Sequence, residues 1–316
     1  MLNQPFWNRR QMLKLATAGA GACVLGSSNA QPILSAPVQE VSRDWPIAIF
    51  EKVFEALSYE ELADAVDQIG ADGIEATIRP GGHIEPAAAE DEVPKLVEAL
   101  AARGKRVTIA ATAVGKVDDE RLLKTLKANG ITHYRMVHYR LDNSQPIMPQ
   151  VKNYAAAARE LAALNAELGL QGLYQNHSGG SAKSGYLGAL GWDAAMLLDG
   201  IAPSALGLAL DTRHLRKDTG SSWQTAVAVC KPHVRSIFVK DGMWKGPRGD
   251  EYVNTPLDEG FVNQQVFDTI RKGLPPMPLC IHMEWLGYRV FKKDEIPSAI
   301  EAHQKDIAVL RKWLAS

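Results

Sequence analysis

Disulfide chemistry has almost no raw material in this chain: three cysteines occur in 316 residues, and one of them, Cys23, falls within the first thirty. The other two, Cys230 and Cys280, lie in segments of helical and extended pattern, so no disulfide framework is implied and an apolar core must hold the fold. Excess charge is missing as well. Against 36 Asp and Glu stand 35 Lys and Arg, a formal net charge of -1, which gives no electrostatic reason to expect a nucleic-acid partner. No apolar run reaches the roughly 20 residues that span a bilayer. Neither a G-x-G-x-x-G after the first predicted strand nor a P-loop occurs, so no nucleotide cofactor is expected. What is present is an ordinary globular composition, 46% hydrophobic and 22% charged, which excludes a disordered, collagen-like or coiled-coil chain. The length suits one large α/β domain with a short appendage.

The appendage is N-terminal. Arg9-Arg10, followed by Leu13-Lys14 and a weakly apolar Ala/Gly-rich run ending at Ser28-Asn29-Ala30, has the order of a signal peptide. The paired arginines resemble a twin-arginine (Tat-like) signal, whose pathway exports folded proteins. Residues 1–30 are therefore expected to be removed and 31–44, with Pro32 and Pro37, to form a flexible linker. Residues 45–316 then form the domain, periplasmic or secreted, with no stable membrane insertion after cleavage.

From Trp45 onward, short apolar runs alternate with longer segments of helical period. Strands are predicted at 47–50, 73–78, 106–111, 132–138, 171–175, 206–211, 235–240 and 278–284. Helices are predicted at 59–69, 94–103, 120–128, 151–168, 192–198, 223–230, 264–271 and 296–314, the first behind a capping box at Ser58 and Glu61. Eight such units predict a single-domain (β/α)8 TIM barrel rather than an open doubly wound sheet.

In such a barrel, chemistry gathers at the C-terminal strand ends, and alternate residues face inward. If Gln175, Asp211 and Glu284 point inward, then so do Leu173, Ala209 and His282; strand seven offers either Phe238 with Lys240 or Val239 with Asp241. Strand four leaves its inward set open between His133, Arg135, Val137 and Tyr139 and the alternate set containing His138 and Arg140.

Five segments in order carry a resemblance: Gly70-Ala71-Asp72-Gly73-Ile74-Glu75, Gln175-Asn176-His177-Ser178-Gly179, Asp211-Thr212-Arg213-His214, Phe238-Val239-Lys240-Asp241 and the final Glu284. With them the chain resembles the xylose isomerase-like barrel family, which includes sugar phosphate isomerases and epimerases. The resemblance implies a divalent cation (Mn, Mg, Co or Zn) at the positions of Gln175, Asp211, Phe238 and Glu284. Gln175 offers only an amide oxygen and Phe238 nothing, so the implied metal set shrinks to Gln175, Asp211 and Glu284 and is expected to be weak or vacant. His282 is a candidate replacement ligand, although a hydrogen-bonded core histidine is the commoner case.

The resemblance implies proton transfer next to the carbonyl of a sugar, keto-sugar or polyol. Glu284 or a histidine, His177 or His214, is the expected base, with Lys240 the partner of the substrate oxygen. An equally concrete alternative has Lys240 simply neutralising Asp211 or Glu284 in a bowl without a cation. Glu75, His138, Arg140 and Trp285 are expected to contact substrate, and Arg79 to His83 to form part of the rim. The partner expected is a small-molecule carbohydrate, with a homo-oligomer left open. The competing reading is a carbohydrate-binding barrel that has lost its metal site and its catalysis.

Overall fold

The computed structural model describes residues 45–316, so the expected export signal and linker lie outside the described residues. Eight parallel strands close into a ring: β1 (Ile47–Phe50), β2 (Gly73–Thr77), β3 (Arg106–Ala111), β4 (His133–Arg135), β5 (Gln171–Gln175), β6 (Leu206–Asp211), β7 (Val234–Val239) and β8 (Leu279–Ile281). Each pairs with its neighbours in chain order. β8 returns to β1 through Ile47–Leu279, Ala48–Cys280 and Ile49–Ile281, which completes the predicted (β/α)8 barrel.

Around the ring run α1 (Tyr59–Ile69), α2 (Ala89–Ala101), α3 (Glu120–Ala128), α4 (Ile147–Leu168), α5 (Trp192–Leu198), α6 (Thr212–Thr219), α7 (Trp223–Cys230), α8 (Gln264–Arg271) and α9 (Ile296–Ala315). The local chemistry explains their ends. Ser58 and Glu61 form the expected capping box, and Gly70 closes α1 in the left-handed region at φ 79°, where a side chain would be strained. α2 begins before the expected 94–103, because Pro94 is accommodated in its second turn, where it forfeits one backbone bond, rather than starting the helix. α6 was not anticipated: its sequence is so polar that no apolar period marks it, and it forms because the Asp211 side chain caps it, accepting the His214 N–H at 2.9 Å.

Two antiparallel ribbons, Arg140–Asp142 with Ser184–Tyr186 and Asp241–Lys245 with Glu251–Thr255, extend the segments that follow β4, β5 and β7. Gly179 and Gly180, at φ 117° and 148°, turn the chain from the end of β5 toward the first of them. The strands predicted at 132–138 and 278–284 are shorter than expected, ending at Arg135 and Ile281.

The apolar core has two compartments. One lies between sheet and helices; the other fills the barrel with Ala48, Phe50, Ile109, Ala111, Leu173, Ala209, Phe238 and Cys280. The second compartment settles the strand-seven alternative: Phe238 is inward, and Lys240 follows two residues later on the same side. Cys230 and Cys280 are free and buried, as the sequence implied. Among the described residues no helix is long and apolar enough to cross a membrane.

Candidate functional site

Polar side chains stack on the apolar plug at the strand ends and line a cavity of about 440 Å³. At its centre is Lys240, only 3% exposed. Its Nζ lies 2.9 Å from Asp211 Oδ2, 2.6 Å from Glu284 Oε1 and 3.4 Å from His214 Nε2. The buried ammonium thus hydrogen-bonds a carboxylate, Glu284, and an imidazole, His214, and meets the second carboxylate, Asp211, as an ion pair. Gln175 Nε2 donates to the same Asp211 oxygen at 2.7 Å, and its Oε1 accepts from His138 Nε2 at 3.2 Å. Arg213, from α6, donates to Glu284 Oε2 at 2.5 Å and to Asn254 Oδ1 of the second ribbon at 2.6 Å. Both oxygens of Glu284 are therefore occupied. Burial alone would raise its pKa, but Lys240 and Arg213 outweigh that and hold it at about 2.

The backbone is pinned beneath these groups. Asn176 accepts the Asp211 N–H at 2.7 Å and donates to the Asp211 carbonyl at 3.1 Å, locking the end of β5 to that of β6. Thr212 Oγ1 donates to the Lys240 carbonyl at 2.7 Å and accepts the Lys240 N–H at 3.0 Å, locking β6 to β7. The D-T-x-H segment is thus a joint as well as a set of site residues.

The donors fix the imidazole tautomers. His214 Nε2 faces Lys240, which can only donate, and is nearer to Arg213 Nη2 (3.0 Å) than Nδ1 is (3.3 Å), so Nδ1 carries the proton toward Ser178 Oγ at 2.6 Å. The Ser178 hydroxyl is then left with its own proton to give. His177 Nδ1 donates to the Ser178 carbonyl at 2.7 Å, which leaves the lone pair of Nε2 free, and the His177 and His214 ring centroids are 4.0 Å apart. Burial, followed by Lys240, lowers His177 to about 4. Burial likewise drives His214 down, with Lys240 and Arg213 adding to it, and drives His138 down with Arg135 adding.

A second buried group lies deeper. Glu75 Oε1 accepts from Arg135 Nε at 2.5 Å, and Glu75 Oε2 lies 2.6 Å from His282 Nε2 at an angle unsuited to a hydrogen bond. Burial acts to raise the Glu75 carboxyl, but Arg135 and His282 hold it well below the usual range. Glu75, Cys280 and His282 bring a carboxylate oxygen, a sulfur and a ring nitrogen within 4.8 Å of one another. That trio is a poor metal set, because burial pushes the Cys280 thiol well up and Arg135 already engages the carboxylate.

The structure therefore brings together Gln175, Asp211, Lys240, Glu284, His177, His214 and His138. Glu75 lies beneath the cavity wall rather than on it. Two expected substrate contacts are elsewhere. Arg140 is exposed on the first ribbon and donates to the Tyr186 hydroxyl at 2.7 Å, and Trp285 Nε1 donates to Asp306 Oδ2 at 3.2 Å. The ribbon turns Arg140 aside, and the short helical turn after β8 turns Trp285 toward α9. Sequence reading passed over Arg213, although it occupies the variable position of D-T-x-H, and Ser178, whose place beside His214 depends on the Gly179-Gly180 turn.

A closed ring of eight parallel strands with its polar groups clustered in a bowl at the strand ends defines a (β/α)8 barrel. More particularly, the chain belongs to the xylose isomerase-like TIM barrel family, whose model matches residues 63–313. Solved structures agree in fold. A D-psicose 3-epimerase in the presence of D-fructose is 12% identical, with a TM-score of 0.62 over 86% of this chain and 100% of that one. A 3-keto-D-glucoside 4-epimerase from E. coli is 14% identical, with a TM-score of 0.61 over 85% and 100%. An IolI protein with a bound zinc atom is 14% identical, with a TM-score of 0.64 over 85% and 99%. No curated protein matches the chain.

Proposed function

We propose that this barrel acts on a carbohydrate bearing a carbonyl, moving a proton at the adjacent carbon, with the ammonium of Lys240 standing where related barrels hold a divalent cation. The observation that carries this reading is the position of Lys240 Nζ, 2.9 Å from Asp211 and 2.6 Å from Glu284. A hard cation bonded to both carboxylates at about 2.0–2.6 Å would collide with that nitrogen. Gln175 turns an N–H toward Asp211, and Phe238 has no donor atom, so the residues present do not fit Mn, Mg, Co or Zn.

The chain's own groups divide the work. His177 Nε2 is the base: its lone pair is free, and with a pKa of about 4 it is unprotonated at neutral pH. Lys240 is the electrophile, since the long 3.4 Å contact to His214 is the bond it can exchange for a substrate oxygen. The Ser178 hydroxyl holds a sugar hydroxyl, and Tyr186 and Tyr288 offer ring faces.

Proton NMR in deuterium oxide with D-fructose and with 3-keto-D-glucose tests the reading. Loss of the signal at the carbon beside the carbonyl is expected, slowed roughly 10²–10⁴-fold in His177→Ala. Exchange that is unaffected by His177→Ala and by Lys240→Ala removes the assignment. The clamping of both Glu284 oxygens favours a second reading, a carbohydrate-binding barrel without catalysis. Sugar binding without exchange of either ketose decides for it.

A further inference from the structure

The cavity wall carries more positive charge than its carboxylates neutralise. Five cationic side chains line it, Arg79, Arg135, Arg213, Lys217 and Lys240, whereas Glu284 is its one acidic side chain, with Glu75 and Asp211 just beneath. Those three carboxylates are already engaged by Arg135, Lys240 and Arg213. Among the described residues, neither Arg79 nor Lys217 has a carboxylate oxygen within 4.0 Å. Lys217 Nζ sits 4.4 Å above the Tyr252 ring, on the far wall. Arg79 Nη2 donates only to the Tyr288 hydroxyl, at 3.2 Å.

The nearer wall is better built. Arg135 is 4% exposed, and its hydrogen bond to Glu75 uses Nε alone; neither Nη group meets a protein acceptor, and both are open to the cavity. Those donors have no protein partner to give up, so an acceptor that enters the cavity replaces only water on them. Arg79 borders the same ring: its Cζ is 5.6 Å from the centroid of Phe50, that of Arg135 is 5.5 Å from it, and both side chains line the cavity. That ring is stacked on His282 at 4.6 Å and on Tyr288 at 6.3 Å.

We infer that the ligand of this bowl carries a carboxylate, held by the open Nη groups of Arg135 and by Arg79 beside the Phe50 ring. A forked, planar guanidinium matches a planar carboxylate through paired hydrogen bonds. The remainder of an acidic sugar then extends toward His177, Ser178 and Lys240 across the bowl. This deepens the proposed function and rests on it for the sugar character of the ligand.

Calorimetric titration at constant ionic strength with D-glucuronate, D-glucose and D-glucose 6-phosphate tests it, because the three differ only at one carbon. Glucuronate is expected to bind at least about tenfold more tightly than glucose, the worth of one charge-assisted pair. Arg79→Ala, shown to be folded by an unchanged ligand-free melting point, is expected to shrink that difference, with Arg135 holding what remains, and Lys217→Ala to leave it intact. Equal affinities, no binding of glucuronate, a preference for the phosphate, or loss of discrimination through Lys217→Ala instead would each overturn the inference. Failure of the two readings is distinguishable. Glucuronate bound through Arg79 with no carbon-proton exchange on either ketose refutes the catalytic reading alone, while exchange with no preference for the acid refutes this one alone.

Discussion

Lys240→Met is expected to lower the folding stability by about 3–5 kcal/mol, the cost of breaking a buried ion pair from one side. Methionine keeps much of the apolar stem but leaves Asp211, which is 0% exposed, without its cation. Glu284 keeps Arg213 at 2.5 Å, so Asp211 bears most of the loss. Urea unfolding of the variant, read by circular dichroism, measures the effect. Adding Asp211→Asn is expected to restore part of the stability, because the uncompensated charge is then gone. A Lys240→Met protein as stable as the wild type would mean that the ammonium is not where the electrostatic account places it.

The second large effect is a decline of stability on mild acidification. Burial lowers the pKa of His138, His214, His282 and His303, and that of His177 to about 4. Once unfolded, each imidazole returns to about 6.5. Below that value the unfolded chain binds protons that the folded chain refuses, so stability falls as pH drops from about 6.5 toward 4, by roughly 1.4 kcal/mol per pH unit for each such group. His83 works in the opposite direction, since its contact with Glu51 outweighs burial and raises it. Further down, Glu284, lowered to about 2, and Glu75, lowered as well, contribute stability that is present above the unfolded carboxylate value of about 4.3 and is lost as pH falls toward their folded values. Denaturant midpoints measured between pH 7.5 and 4.5 are expected to fall continuously by several kcal/mol of stability. A flat profile over that range would show that the histidines are not held neutral.

Much of the barrel was legible because each unit repeats one physical pattern, an apolar strand of period two followed by an amphipathic helix. With Gln175 and Asp211 taken as inward, that period placed Leu173 and Ala209 in the interior plug, where the structure has them, and Phe238 in the same plug fixed Lys240. Less could be read where the chain stops being regular. Once β4 ends at Arg135, parity no longer orders the side chains, and both Arg135 and His138 reach the cavity although they belong to alternate sets. Arg140 and Trp285 were drawn away by a ribbon and a helical turn that no apolar period announces. Arg213 was hidden in a different way: its value comes from Glu284, 71 residues further along the chain, and no local pattern reports that meeting.

Elemental analysis of metal content, made on protein purified without chelator and then incubated with manganese, cobalt or zinc, tests the central claim most directly. The account predicts that the wild-type chain retains no stoichiometric cation, and that Lys240→Ala combined with Gln175→Glu, which vacates the space and restores a third carboxylate, gains one. A wild-type protein that binds a stoichiometric divalent cation between Asp211 and Glu284, and loses it through Asp211→Asn, would contradict the assignment of that space to the ammonium of Lys240.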